Sequence, residues 1–389
     1  MRILAIETSC DETAAAVVED GVKILSNVVA SSATMHEKYG GIVPEVAARE
    51  QVRCIIPVIE EALSLYSSSD ESSRSREVIN NSSRLRSNNI KEIIDEYIDT
   101  IAITIGPGLI GSLLVGVETA KTLAFVTGKP IIPVNHVLAH MYANFLESSQ
   151  ENSPRAQSRG NIEFPAISLV VSGGHTELYL MKSVKDLTWL GGTLDDAAGE
   201  AFDKTARLLG FASGGGAAIQ EAALIYSSSE GVQRPNREAI DSSSRLRSNN
   251  IHLPRPMIND KSLNFSFSGL KTAIMREVNT LKKNQQWNHG TIEQLAFEVQ
   301  EAITDVLVAK TLRAAEKYNA KSILLSGGVA ANTRLREKFS IWHSAFGIHV
   351  PEARLCTDNA VMIAATAYFR GKPADWHKVT ALPDLSVEL

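Results

Sequence analysis

The 389-residue chain reads as an α/β protein of two domains, and three observations predict this. Its length exceeds what one hydrophobic core usually organises. Short apolar runs of strand length alternate with stretches of helical period. Three of those runs end in polar or glycine-pair turns, at 8–13, at Ser172-Gly173-Gly174-His175 and at Ser326-Gly327-Gly328.

Taken in order, residues 2–6 are predicted as a strand, 8–13 as a polar turn and 14–18 as the returning strand of a hairpin. Asp11 and Glu12 sit in that turn beside backbone amides. A helix follows over 44–64. Residues 100–117 carry no charge and have the length of a membrane span, but Gly106-Pro107-Gly108 would break a helix at its middle. They read instead as a buried strand, a tight loop and the start of a helix over 109–127. A second hairpin pairs 167–171 with 176–181. Helices are predicted over 194–209 and 291–318. The apolar run 323–325 enters the glycine pair, followed by a helix from about 331 to 339. The last predicted helix covers 358–369. A strand that runs into glycines lets amides approach an anion without interference from Cβ, so three such turns suggest a phosphate site.

Two segments depart from this grammar. YSSSDESSRSREVINNSSRLRSNNI (66–90) and YSSSEGVQRPNREAIDSSSRLRSNNI (226–251) match closely at both ends, and 148–161 shares their polar bias. Each has too few large apolar residues to offset the entropy of ordering its backbone, so 67–89, 148–161 and 227–250 are read as disordered or loop insertions. The alternative gives Arg84, Arg86, Arg245 and Arg247 a phosphate-gripping role, but carboxylates accompany them.

Thirty-nine basic against forty-four acidic residues give a net charge of −5, so no global positive field draws nucleic acid to the chain. The three cysteines, Cys10, Cys54 and Cys356, form no Cys-x-x-Cys pair, which suits a reducing, cytoplasmic setting. The N-terminus turns acidic at Glu7 after four apolar residues and is not expected to act as a signal peptide.

His136 and His140, spaced i, i+4, project from one helical face and suit a shared metal ion, or serve as satisfied core histidines. The residue after His136 is Val137, whereas a zinc protease needs glutamate there. Ser172 to His175 lacks the Gly-x-Ser-x-Gly elbow of a nucleophilic serine and suits anion binding better. Asp196, Glu200 and Asp203 fall on one helical face, with Lys204 and Arg207 beside them to make a solvated stripe. Thr357 or Asp358 stands where a helix N-cap is expected.

The order and wording of these motifs carry further. ETSCDET (7–13), GGIVPE (40–45), GPGL (106–109), Asn135-His136 with His140, VSGGHT (171–176), AGEAFDK (198–204), FSFSGLK (265–271), SGGV (326–329) with Asn332, and CTDN (356–359) resemble, in register, the tRNA N6-adenosine threonylcarbamoyltransferases. The resemblance covers nearly all of the chain outside the insertions. It implies two RNase-H-like domains of the actin, sugar kinase and heat-shock chaperone ATPase superfamily facing a central cleft. The first would span 1–140, with 358–385 packing back on it, and the second 141–357.

By the same resemblance, His136, His140 and Asp358 match metal ligands, for iron or else zinc. Val170, Val171, Ser172, Gly173, Gly174, Asp203, Gly216 and Asn332 match the adenylate-binding positions, and Asp11, Glu12 and His175 fall where acid, base or orienting groups are expected. The substrates implied are threonylcarbamoyl-AMP and tRNA. The partners implied are a paralogous TsaB-like heterodimer subunit and a TsaE-like accessory ATPase, with no membrane. A metal-independent kinase or ATPase of the same superfamily is the competing reading. One departure stands out: the family's Tyr-Pro-Gly-Gly-Pro turn is replaced by Ser213-Gly214-Gly215-Gly216-Ala217, which predicts a looser turn.

Overall fold

The computed structural model describes residues 1–39, 41–69, 90–147, 162–211, 214–229 and 251–387. Contacts divide the chain into an N-terminal unit, Met1–Ala156 with Asp358–Glu388, and a C-terminal unit, Gln157–Thr357. The expected insertions lie outside the described residues except at their first residues. Residues 67–69 and 227–229 prolong the helices that precede them.

In the N-terminal unit, β1 (Arg2–Glu7), β2 (Glu12–Glu19) and β3 (Lys23–Ser31) form an antiparallel meander. β4 (Thr100–Gly106) and β5 (Ile131–Asn135) join in parallel on the other side of β1, giving the order β3-β2-β1-β4-β5. The helices, in chain order, are α1 (Ala33–His36), α2 (Pro44–Ser69), α3 (Ile90–Tyr97), α4 (Ile110–Thr127) and α5 (His136–Tyr142). Strand alternation turns Leu4, Ile6, Ala15, Val17, Ile101 and Ile103 toward one core with Ile59 and Leu63 of α2, Ile94 of α3 and Leu113 and Val117 of α4. Each of the larger side chains contributes about 1.5–3 kcal/mol on full burial. The intervening residues, Ile3, Ala5, Ala14, Ala16 and Ala102, are mostly alanine and wholly buried. Against this side packs the last helix of the chain, Ala360–Arg370, itself alanine-rich, so small residues on both surfaces let helix and sheet approach closely.

Among the described residues, α4 alone is long and apolar enough to cross a membrane. Its Leu113, Val117, Ala120, Leu123 and Ala124 are core residues, so packing accounts for its composition. Gly128, at φ 67°, ends it in the left-handed conformation.

The C-terminal unit repeats the plan. β6 (Ala166–Val171), β7 (Thr176–Met181) and β8 (Leu187–Gly192) form the meander, and β9 (Ser322–Ser326) and β10 (Gly347–His349) add in parallel, in the order β10-β9-β6-β7-β8. Its helices are α6 (Ala198–Leu209), α7 (Gly215–Ser229), α8 (Ser268–Lys283), α9 (His289–Lys317) and α10 (Thr333–Ser340). The C-terminal helix Ala360–Arg370 is therefore α11. Ile167, Leu169, Val171, Leu178, Ile323 and Leu325 share a core with Phe202, Ile274, Leu295, Val299 and Ile303 from α6, α8 and α9. Three antiparallel strands followed by two parallel ones, twice over, are a duplicated RNase-H-like fold.

Two expectations require correction. The helix expected from 194 begins only at Ala198, because Asp195 is drawn to the start of α8. There it accepts from the Phe267 and Ser268 amides at 2.8 and 3.1 Å and from the Ser266 and Ser268 hydroxyls. Burial opposes ionisation of Asp195, but those bonds outweigh it and hold its carboxyl below the usual range. Asp196 thus lies outside the helix, and the acidic stripe is not continuous. Lys204 pairs with Asp196 at 2.6 Å and with Glu200 at 2.7 Å. The second correction concerns α11: its N-cap is Asn359, whose side chain accepts from the Met362 amide at 3.1 Å, rather than Thr357 or Asp358.

Candidate metal centre and ligand pocket

The N-terminal unit brings two distant parts of its chain to one point. β5 ends at Asn135, whose Oδ1 accepts from the amides of Val137 and Leu138 at 2.9 and 3.1 Å and so starts α5 at His136. One helical turn on, His140 lies beside it, with ring centroids 4.7 Å apart and an edge-on angle of 80°. Asp358, two residues before α11, brings its Oδ1 to 3.5 Å from His136 Nε2 and 3.4 Å from His140 Nε2. One ligand atom from each residue lies within 4.8 Å of the others.

The arrangement fits a divalent cation. Bonds of about 2.1 Å in a tetrahedral shell separate ligand atoms by about 3.4 Å, which is the distance of Asp358 Oδ1 from each imidazole, and all three ligand atoms lie within 4.8 Å of one another. His140 supplies a second sign. It is 1% exposed, and neither ring nitrogen has a hydrogen-bond partner, since the 3.4 Å approach to Asp358 is too poorly aligned to count as one. A buried imidazole without a partner costs free energy that coordination would recover.

Around this cluster stand carboxylates. Glu7, fully buried at the end of β1, accepts from the Ser9 amide at 2.6 Å and from the Thr104 hydroxyl, and its Oε2 lies 3.4 Å from His136 Nδ1. Ser9 Oγ reaches the same nitrogen at 3.2 Å. A carboxylate would repel a lone pair on Nδ1, so that nitrogen carries the proton and Nε2 is the donor to a cation. Burial works against a charged His136, but Asp358, Glu7 and Glu12 outweigh it and lift its pKa to about 9 in the metal-free chain. Burial first, then the charges of Asp358 and Asp11, push Glu12 up to about 9. Burial and the same two carboxylates raise the Cys10 thiol as well. Asp11 and Glu12 thus belong to the charged surroundings of the histidines. Glu7, Ser9 and Thr104 had no role assigned from sequence. The one signal for Glu7 was an acidic residue closing an otherwise apolar strand.

The C-terminal unit holds a cavity of about 330 Å³ lined by Gly173, Gly199, Phe202, Asp203, Gly216, Ala217, Gln220, Gly328, Val329, Ala331 and Asn332. The lining includes Gly173, Asp203, Gly216 and Asn332 from the expected binding set. Val170 and Val171 are wholly buried in β6, so only their backbone is available to a ligand. Ser172 Oγ accepts from the His175 amide at 3.2 Å, and the Ser172 amide donates to the His175 carbonyl at 2.8 Å, closing the turn that exposes Gly173 and Gly174. A Cβ on Gly199 would lie 2.5 Å from the Ser172 carbonyl, so this turn rests directly on the first turn of α6.

Burial raises the pKa of Asp203 against the nearby Arg207 charge, and the Gly216 amide donates to its carboxylate. Gly215, at φ 27°, leaves no room for a side chain: a Cβ would meet Asp203 Oδ1 at 1.6 Å. Gln220, which sequence reading passed over, faces the cavity with its Oε1 bonded to the amide and hydroxyl of Thr333 at 2.8 and 3.1 Å.

A doubled RNase-H-like fold with a glycine-walled cavity at the strand ends of one copy defines the actin and sugar-kinase class of proteins. Comparison with known proteins narrows this. The family model TsaD, tRNA N6-adenosine threonylcarbamoyltransferase, matches residues 23–70 and 87–365. A protein of that name from Persephonella marina is 44% identical over 377 residues, which is 96% of this chain and 91% of the relative. One from Dehalococcoides mccartyi strain BAV1 is 44% identical over 391 residues, covering 100% of this chain and 99% of the relative. The chain belongs to the family of tRNA N6-adenosine threonylcarbamoyltransferases. It is a transferase of tRNA modification, and nothing favours the kinase alternative.

Proposed function

We propose that the chain moves the threonylcarbamoyl group of threonylcarbamoyl-AMP onto the exocyclic amine of adenine 37 in tRNAs that read codons beginning with adenine. The observation that carries the detail is the convergence of His136, His140 and Asp358 around an unsatisfied, buried imidazole in a member of this family. These three residues are the proposed ligands of one divalent metal ion, iron first and zinc as the alternative, since two imidazoles and one carboxylate suit both. When bound, the cation supplies Lewis-acid stabilisation of developing negative charge, worth several kcal/mol in such sites.

The remaining chemistry falls to the chain. The adenine nitrogen forms a bond to the carbamoyl carbon while the bond from that carbon to the phosphate oxygen breaks, and AMP leaves with the electron pair. The cavity of the C-terminal unit is the proposed adenylate site. There the amides of Gly173, Gly174 and Gly216 would donate to anionic oxygens, Asp203 would accept from ribose hydroxyls, and Asn332 would donate from its side chain. Val170, Val171 and Ser172 would contribute main-chain contacts. The proton lost by the amine needs an acceptor, for which Asp11 and His175 are candidates. Glu12, held near pKa 9 by burial and neighbouring charge, would act from its neutral form as a donor.

The TsaB-like partner and TsaE-like ATPase belong to this reading, as does a cytoplasmic setting where tRNA is modified. Val52 and Ile56 on α2, with Ile110 and Leu114 on α4, stand exposed one helical turn apart, and a Cβ on Gly111 would touch Ala48, so the two helices present one apolar face. That face supports the heterodimer, and Ile56→Asp should weaken it. For the function itself, purified protein is supplied with threonylcarbamoyl-AMP, tRNA and partners, and AMP release is measured with the modified nucleoside. AMP release without nucleoside formation, at full metal content, refutes the transfer reading.

A further inference from the structure

We propose that Gln300 is a positioning residue for the cavity of the C-terminal unit, holding the side-chain amide of Asn332 so that one N–H is presented to the ligand. The inference rests on that cavity being the adenylate site.

Asn332 is the N-cap of α10, and its Oδ1 accepts from the Leu335 amide at 3.0 Å. That bond identifies the oxygen end, because an NH2 group facing a backbone N–H would meet a second donor. The other end, Nδ2, donates to Gln300 Oε1 at 3.0 Å. Of the two N–H groups on Nδ2, one is committed to Gln300, and the other remains for the cavity that Asn332 lines. The terminal torsion of asparagine is broad and has no strong preference of its own. A single cap bond fixes the oxygen but lets the amide plane swing about it. The second bond, to Gln300, removes that freedom.

Gln300 is suited to the task. It lies on α9, is 5% exposed, and is followed immediately by residues that lock α9 to α10. Glu301 takes Arg334 in two bonds of 2.6 and 3.1 Å, and Thr304 and Asp305 take Lys338 at 2.7 and 2.5 Å. The acceptor therefore stands on a helix whose register against the cap is already set.

The test is a double-mutant cycle read by calorimetric titration of AMP into the full chain, with thermal unfolding measured on every variant. Gln300→Met keeps the volume and deletes the acceptor, and should weaken AMP about three- to tenfold. Asn332→Ala should weaken AMP at least as much as Gln300→Met, and Gln300→Met added to Asn332→Ala should cost nothing more. If Gln300→Met does not fold, Gln300→Ala is read in the same cycle. Equal losses from Gln300→Met in both backgrounds, or no loss where Asn332→Ala has one, overturn the inference and leave the cavity reading intact. An unchanged AMP affinity in Asn332→Ala overturns both.

Discussion

Replacing Lys338 with methionine probes the device that holds the cavity's wall in place. Lys338 is 2% exposed, and its amine contacts Asp305 Oδ1 at 2.5 Å, Thr304 Oγ1 at 2.7 Å and Glu301 Oε2 at 3.4 Å. The buried part of the cluster balances three cations, Arg255, Arg334 and Lys338, against three carboxylates, Glu298, Glu301 and Asp305, while the exposed Glu337 meets Arg334 at 3.3 Å from the solvent side. Methionine keeps the packing but leaves one uncompensated negative charge. Removing one partner of a buried pair costs about 3–5 kcal/mol. The cost here should be lower, about 2–3 kcal/mol, because Asp305 retains Arg255 at 3.1 Å and Glu301 retains Arg334. For a unit of this size that corresponds to a fall of roughly 5–10 °C in melting temperature, followed by calorimetry of the C-terminal unit's transition in the full chain. Adding Asp305→Asn restores neutrality and should recover at least about 1 kcal/mol, a non-additive result expected of residues in contact. A melting temperature lowered by less than about 2 °C, or strict additivity in the double variant, would refute the account of this cluster as a charge-balanced lock.

The other expectations follow from the two sites. Asp358→Asn should lower metal content and transfer together while AMP still binds, as measured by metal analysis and titration. With Asn359 serving as the helix cap, full metal occupancy in that variant would remove Asp358 from the ligand set. Glu7→Gln should weaken metal affinity about ten- to a hundredfold in chelator competition, because an amide in place of the carboxylate loosens the Nδ1–H tautomer of His136. Gly327→Ala should destabilise by about 1–3 kcal/mol or more, since φ is 87° and a Cβ would sit 2.4 Å from the Val171 carbonyl; a melting temperature equal to that of the parent chain would contradict the packing. Deleting 70–89 and 230–250, with short Gly/Ser closures after the ends of α2 and α7, should leave folding and transfer nearly unchanged. A loss of transfer beyond about tenfold would instead promote the arginines of those segments.

Periodicity and turn chemistry made most of the fold legible. The strands at 2–6, 14–18, 167–171 and 176–181 and the helix at 109–127 recur with their ends moved by a residue or two, because their apolar patterns face a buried core on a fixed period. The start of α6 was not legible. Asp195 is bound to a segment seventy residues on, at Ser266 to Ser268, and no local propensity reports such a bond. The cap of α11 was misread for a related reason: Thr357, Asp358 and Asn359 all favour N-caps, and only the geometry selects the third. Spacing brought out His136 and His140, but Asp358 needed a family resemblance to join them, since more than two hundred residues intervene. Glu7 and Gln300 escaped because each acts through another side chain, and sequence spacing does not reveal who touches whom across separate elements.

The duplication explains why one backbone plan yields two unlike sites. In both copies the exit of the fourth strand presses against the turn after the first, with no space between. A Cβ on Gly108 would lie 2.4 Å from the Ser9 carbonyl, and one on Gly327 would lie 2.4 Å from the Val171 carbonyl. The same close approach therefore exposes the first turn at the strand ends each time. What differs is the side chains carried there. The N-terminal turn bears Ser9, Cys10, Asp11 and Glu12 after the buried Glu7, a cluster of acidic groups beside two imidazoles, which is a donor set suited to a cation. Its counterpart bears Ser172, Gly173, Gly174 and His175, where unobstructed amides favour an anion. The fifth strand separates the copies further: β5 passes straight into the helix of His136 and His140, whereas β10 is three residues long and is followed by Pro351. The proposed transfer needs both kinds of site, one for a cation and one for the anionic oxygens of an adenylate. A fold that supplies the same exposed turn twice can meet that need by changing only the residues on it.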